Sequence, residues 1–303
     1  SVQTSGDYST GIIVQNGSAG AVRIDAGSIS TTGFAADGIA VVSGGLTEIN
    51  VDTIEGNGDY IWGVNVANGI ISEEQPLSGD TYVNVGRINL RGDNNAGVVV
   101  RSNSGAFINI GELQIDGVGS TGVHAAAMGS VRVRVDKAVF KGEQTGGIVA
   151  LAELGDAYVQ VGSLSAENGG GVAAVSTYGA AAVDAGTVSV EGEFAIGVQA
   201  VSTYGNASIR VDDVSTNGLL GTGIGISAMR GKLSVIAGNV STRGDGAYGV
   251  QATGKTNLIQ LKGNLSTTGE RAAGILSATT RGDNISLVQG DVSTSGGGAD
   301  GLW

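Results

Sequence analysis

A Gly followed by Ile, Val or Leu returns along the whole chain at an almost constant interval. The segments are GIIV at Gly11, GIAV at Gly38, GVNV at Gly63, GVVV at Gly97, GVHA at Gly122 and GIVA at Gly147. They continue as GVAA at Gly171, GVQA at Gly197, GIGI at Gly223, GVQA at Gly249, GILS at Gly274 and GLW at Gly301. The eleven intervals are 27, 25, 34, 25, 25, 24, 26, 26, 26, 25 and 27 residues. An identical hexapeptide, AVSTYG, stands at residues 174 to 179 and again at 200 to 205. A period of this length means one supersecondary unit stacked many times, because so short a unit cannot bury its apolar face alone.

Each unit holds three short segments of alternating polarity. The first reads YVNVG (Tyr82 to Gly86), FINIG (Phe107 to Gly111) or YVQVG (Tyr158 to Gly162). The second contains VST, as at Val214, Val240 and Val292, and the third is the Gly-anchored segment itself. Period-two alternation broken by Gly, Asp and Asn specifies strands and tight turns, with no helical spacing. Three strands and three turns are too few to fold back as hairpins and enough for one loop of a coil. The chain is therefore expected to be all-β: a parallel β-helix (β-solenoid) of about 11 to 12 coils, forming one domain over residues 1–303. At about 4.8 Å per coil the rod would be on the order of 55 Å long.

A repeat also predicts which residues stack. The residue after the anchor Gly is Ile12, Ile39, Val64, Val98, Val123, Ile148, Val172, Val198, Ile224, Val250, Ile275 and Leu302, aliphatic every time. This row is expected to point inward, as are pairs such as Val83 with Val85, Ile108 with Ile110 and Val133 with Val135. The residue between such a pair is expected to face water: Arg23, Asn50, Asn84, Asn109, Arg134, Gln160, Asp184, Arg210, Ile236, Gln260 and Ser286.

Composition narrows the function classes. Of 303 residues 55 are Gly, one is Pro (Pro76) and none is Cys, while 41% are hydrophobic and 4% aromatic. Gly this frequent without Pro is not collagen, and apolar content this high is not disorder. Absent cysteine removes disulfides, thiol nucleophiles and thiolate metal sites. A net charge of −12 argues against nucleic acid or an anionic membrane as partner. No apolar run approaches the roughly 18 residues of a membrane span, so no membrane insertion by this segment is expected. The opening SVQTSGDYST has neither the basic start nor the apolar stretch of an export signal, so an exported form is expected to be a mature piece.

Several places could carry function. The one long interval contains IISEEQPLSGD, Ile70 to Asp80, read as an inserted loop at 70–80 with Glu73 and Glu74. Tyr60 and Trp62 precede it and Tyr82 follows, so the chain's scarce aromatics gather there, and insertions in solenoids are often the functional part. Tyr178 and Tyr204 occupy equivalent corners of adjacent coils, as a platform for sugar rings or, in the preferred reading, as a pair closing the corner on itself. Arg-Gly-Asp triplets occur at Arg91 to Asp93, Arg243 to Asp245 and Arg281 to Asp283, the first two at one repeat position and the third in another turn. Gly and Asp are good turn formers, and duplication accounts for most of the excess. Asn-X-Ser triplets at Asn206, Asn239, Asn264 and Asn284 follow from the repeat in the same way.

Asp184, Asp212, Asp213 and Arg210 are the acid and base candidates for catalysis, yet Asp184 and Arg210 are placed to pair across neighbouring coils. Paired catalytic carboxylates need a cleft to separate their pKa values, and no long loops are available to wall one. His124, the sole histidine, is expected on the outer surface with no second His to complete a zinc site. GGGAD at Gly296 to Asp300 lacks the nine-residue period of a calcium-binding roll. No cofactor, metal or catalytic residue is expected.

The chain's Gly-rich, Cys-free, Ser/Thr/Asn-rich coils, such as VSTRGDGAYGVQA from Val240 to Ala252, resemble the passenger region of bacterial autotransporters, adhesin-like surface β-helices. The membrane-anchoring barrel of that family is absent from these residues. The resemblance implies export, display outside the bacterial cell and no catalysis. A glycan or another host or surface ligand is the partner it suggests. SVQTSGDYSTGI aligns in phase with DVSTSGGGADGL, so Ser1, Val2, Leu302 and Trp303 are the residues expected to meet in head-to-tail self-association. An extracellular filament is accordingly the alternative to a displayed passenger, and a β-helix that binds or degrades polysaccharide is the lesser one.

Overall fold

The computed structural model describes residues 1–69 and 79–302, and the inserted loop's Glu73 and Glu74, as well as Trp303, lie outside them. The described strands form one 24-stranded sheet wound as a parallel β-solenoid of about eleven turns, with no helix among the described residues. Each strand between the terminal coils pairs in parallel with the equivalent strand one coil before and one coil after, and those of the first and last coils pair on one side.

One coil shows why. The long strand Val131–Lys141 and the short strand Gly146–Ala152 together make three faces. The expected first and second strands are thus joined: extended backbone continues through the corner, and only the alternation changes phase. Asp136 and Lys137 both point outward there, and the pairing on either neighbouring coil passes over Asp136. Two successive outward residues bend the sheet without breaking its ladder on either side. In Thr222–Arg243 the extended run passes a turn as well and reaches 22 residues.

The inward row is continuous. Ile12, Ile39, Val64, Val98, Val123 and Ile148 stack in register, followed by Val172, Val198, Ile224, Val250, Ile275 and Leu302. The members from Ile39 to Ile275 are buried, whereas Leu302, with no described coil beyond it, is 65% exposed. The anchor Gly has an equally repetitive cause. A Cβ on Gly11, Gly63 or Gly122 would stand 2.7, 2.6 or 2.7 Å from the carbonyl oxygen of the next anchor Gly. No side chain fits between coils at that point, so the motif begins with Gly every time.

The outward row differs from expectation at its two ends. Asp25, not Arg23, stacks on Asn50, because Arg23 is in register with Glu48. At the other end Leu287 stacks on Gln260, while Ser286 lies over the core residue Ile259 and is half-buried. Local alternation allows both frames in each segment, and pairing with the neighbouring coil selects one.

The corners are held by side chains that reach the next coil's backbone. In one turn Asp7, Asp59, Asp93 and Asp245 Oδ1 accept the N–H groups of Phe34, Asp93, Val118 and Glu270 at 3.0, 2.8, 2.8 and 2.9 Å. In another, Asp156 and Asn206 accept from Ala180 and Lys232 at 2.7 and 2.9 Å. Asn239 and Asn264 accept from Asn264 and Asp291, both at 3.0 Å. Each bond satisfies an amide that the turn geometry leaves without a ladder partner. Asp37 is the half-buried member of this set: Oδ1 accepts the Trp62 N–H at 2.9 Å, and burial nevertheless pushes its carboxyl above the ordinary carboxylate range.

Two stability measurements follow from this burial. Val198→Asp places an unpaired carboxylate in the aliphatic row and should cost on the order of 4 kcal/mol, whereas His124→Asp, on the outer face, should change stability by less than about 1 kcal/mol. Equal circular dichroism melts for the two variants would refute the inward assignment. For Asp37 the raised folded pKa means that its contribution is full below the unfolded pKa and lost as pH rises through the folded one. Asp37→Asn keeps the acceptor and removes the charge, so at pH 7 it should melt about 1–2 °C above the wild type. The difference should vanish on acidification below the ordinary carboxylate range.

Candidate functional site

Function on a solenoid has to be read from its edges and outer rows, since the interior is closed. The turn between the long and short strands recurs with one backbone: a Gly at positive φ, then a residue, then a left-handed residue. Gly58 with Tyr60 (φ 150 and 60°) and Gly92 with Asn94 (116 and 56°) are two examples. Tyr8, Tyr60, Phe194 and Leu220 take the left-handed position that other coils fill with Gly, Asn, Ala, Gln or Arg. A bulky side chain there costs roughly 1–2 kcal/mol and projects into solvent.

The aromatics fall into separate ladders. Tyr60 packs on Phe34 with ring centroids 5.2 Å apart and tilted by 55°, and Phe34 meets Tyr8 at 5.6 Å and 75°. All three rings are exposed, and Tyr8 and Phe34 were not singled out by spacing arguments that followed the insert alone. Tyr82 lies on another face, stacked on Phe107 at 4.9 Å and 14°. Trp62 sits at the start of the short strand, on the rim of a cavity it shares with Arg101, Thr121 and His124. The expected gathering of Tyr60, Trp62 and Tyr82 is therefore divided among three surfaces, because the pitch of the coil sends neighbouring segments to different faces. The described end of the insert is pinned: Asp80 accepts the Ser104 hydroxyl at 2.6 Å and the Gly105 N–H at 2.8 Å. The Ser104 bond is the main reason its carboxyl is held below the usual range.

Tyr178 and Tyr204 do stack, at 4.9 Å and 7°. The Arg230 guanidinium covers the far side of Tyr204 at 4.6 Å. Stacked rings turn their faces toward each other along the rod axis and their edges toward solvent. A sugar needs a free face, and the pair turns one face of each ring on the other while Arg230 takes the second face of Tyr204.

The charged candidates are dispersed. Asp184 and Arg210 are register neighbours but do not form one of the ion pairs among the described residues, where exposed partners gain little from pairing. Asp213 Oδ1 accepts the Asn239 side chain at 2.8 Å, and Asp212 lines a shallow open groove with Arg134, Asp136 and Arg210. His124 points outward yet is half-buried between Val99 and Val149, and this burial, followed by nearby Arg101, lowers its pKa. The aspartates of the first two Arg-Gly-Asp triplets, Asp93 and Asp245, are those that accept the next coil's N–H groups. Among the described residues no group of three His, Cys, Asp or Glu could hold a metal ion. Val2 packs partly buried against the first coils and Ser1 is exposed.

A recess of about 820 Å³, open on one side, lies where one turn is short. From core row to core row the turn advances eight residues from Phe140 to Ile148 and from Val190 to Val198, but six from Ala166 to Val172. Asn168, Gly169, Gly170 and Gly171 make its floor, with Glu143 and Gln144 on one rim and Glu193 and Phe194 on the other. The 24-residue interval was the visible signal, though the residues on either side of the gap identify themselves only in register.

Comparison with protein-family models, with curated proteins and with solved structures finds no match to this chain in any of the three.

Proposed function

We propose that the chain is a non-catalytic structural and adhesive solenoid displayed outside a bacterial cell, in the manner of the autotransporter passengers it resembles. The observation that carries this reading is the unbroken twelve-member inward ladder, which makes a rod whose outer rows repeat coil by coil. Stability of such an array adds up between nearest neighbours, so length can grow while every coil presents side chains at a fixed spacing. Ring edges, amides and charges in parallel rows suit attachment to an extended surface. The carboxylates considered for catalysis lie on the outer rows, Asp213 held by the Asn239 side chain and Asp212 in a shallow open groove.

Head-to-tail stacking into a filament is the second reading. Leu302 pairs on Ile275 in the same frame in which Ile39 pairs on Ile12, so a further coil would continue the ladder whichever chain supplied it. Such a contact is heterologous and propagates when no rotation closes it.

The adhesive reading predicts that the purified protein binds cells or a glycan array and leaves acidic polysaccharides intact. Cleavage of such a polymer, abolished by Asp212→Asn, would establish the enzyme instead. Electron microscopy of the native product separates the two non-catalytic readings. Noncovalent fibres built from 29.9 kDa chains would establish the filament, and one longer polypeptide carrying a C-terminal barrel would establish the passenger.

A further inference from the structure

We infer that the recess beneath the short turn is a binding site for a neutral or amino-substituted saccharide. The inference holds whether or not the rod is displayed at a surface. It starts from an interruption in the turn's hydrogen-bond ladder. In coil after coil the left-handed residue donates its N–H to the next turn: Tyr60 to Asp93 at 2.9 Å, Asn94 to Val118 at 2.8 Å and Gly119 to Glu143 at 2.9 Å. The ladder resumes with Phe194 to Leu219 at 2.8 Å and Leu220 to Asp245 at 2.9 Å. Between them, Gln144 and Asn168 donate their N–H groups to no acceptor among the described residues. The short turn still bonds both neighbours, Gly170 to Thr145 at 2.7 Å and Gly169 to Glu191 at 3.0 Å, but the bonds of the left-handed residues are missing, and the recess lies there.

The lining defines the ligand's chemistry. Two unused main-chain donors stand with the carboxylates of Glu143 and Glu193 and the amides of Gln144 and Gln199 around one opening. Phe194 forms the remaining wall, 64% exposed and left-handed at φ 57°, without an aromatic partner among the described residues such as those that cover Tyr204 and Phe107. A ligand that satisfies donors and acceptors at its edge while laying an apolar C–H face on a ring is a saccharide. The volume falls in the range of small-molecule sites, roughly 300–1,000 Å³. Two rim carboxylates on a chain of net charge −12 repel uronic acids, which leaves neutral and amino sugars.

Titration calorimetry with cellotetraose, chitotetraose and tetragalacturonate tests the inference on the intact chain. Cellotetraose or chitotetraose should bind at submillimolar concentration, at least about tenfold more tightly than tetragalacturonate. Phe194→Gly removes the ring and suits the left-handed backbone, so binding should weaken at least about tenfold while the melting temperature stays within about 2 °C of the wild type. A second variant inserts two residues between Glu167 and Asn168 to restore the eight-residue turn. It should fill the recess, lose binding and melt no lower than the wild type. The inference is overturned if none of the three probes binds, if Phe194→Gly binds as the wild type does, or if tetragalacturonate binds best.

Discussion

Parallel, in-register pairing of each coil with the next is the interaction on which everything else in this protein depends. It supplies the backbone hydrogen bonds that a single coil of about 25 residues cannot make within itself, and it places equivalent residues about 4.8 Å apart along the rod. Once register is fixed, like must stack on like. Aliphatic side chains stack on aliphatic ones in the interior, and amides or ion pairs form along the outer rows, as where Asn84 donates to Asn50 and Asn50 to Asp25, both at 2.9 Å. The anchor Gly belongs to the same logic, since a Cβ there would strike the next coil's carbonyl.

Stacking also limits what the surface can offer. A pair such as Tyr178 and Tyr204 looks like a platform in sequence, yet identical positions on successive coils bring ring faces together and leave edges outside. Asp93 and Asp245 belong to Arg-Gly-Asp triplets, yet their carboxylates are spent on the following coil. Regular rows are mostly self-satisfied. Unused donors and open ring faces arise where the repeat falters, and the six-residue turn before Val172 is such a place.

Legibility followed from how far each feature depended on its neighbours. The inward row could be written out member by member because anchor Gly and aliphatic residue are adjacent in the chain, and their spacing survives changes in turn length. The outward row failed at its ends, where Val22–Arg23–Ile24 and Ile24–Asp25–Ala26 are equally good alternations and only the partner strand chooses. The expected three strands became two because the corner at Asp136 bends extended backbone without interrupting it.

The sequence by itself determined the class of fold, the coil period and the identity of the residues that stack inside, since all three are properties of a periodic chain with a fixed side-chain alternation. Tertiary structure alone decided which frame each outer row adopts, which aromatics turn their faces to one another and which turn lost two residues. These depend on the register between coils, a relation between residues some 25 positions apart that no local pattern specifies. The candidate recess lies where that register forces a short turn to span the same corner as its longer neighbours.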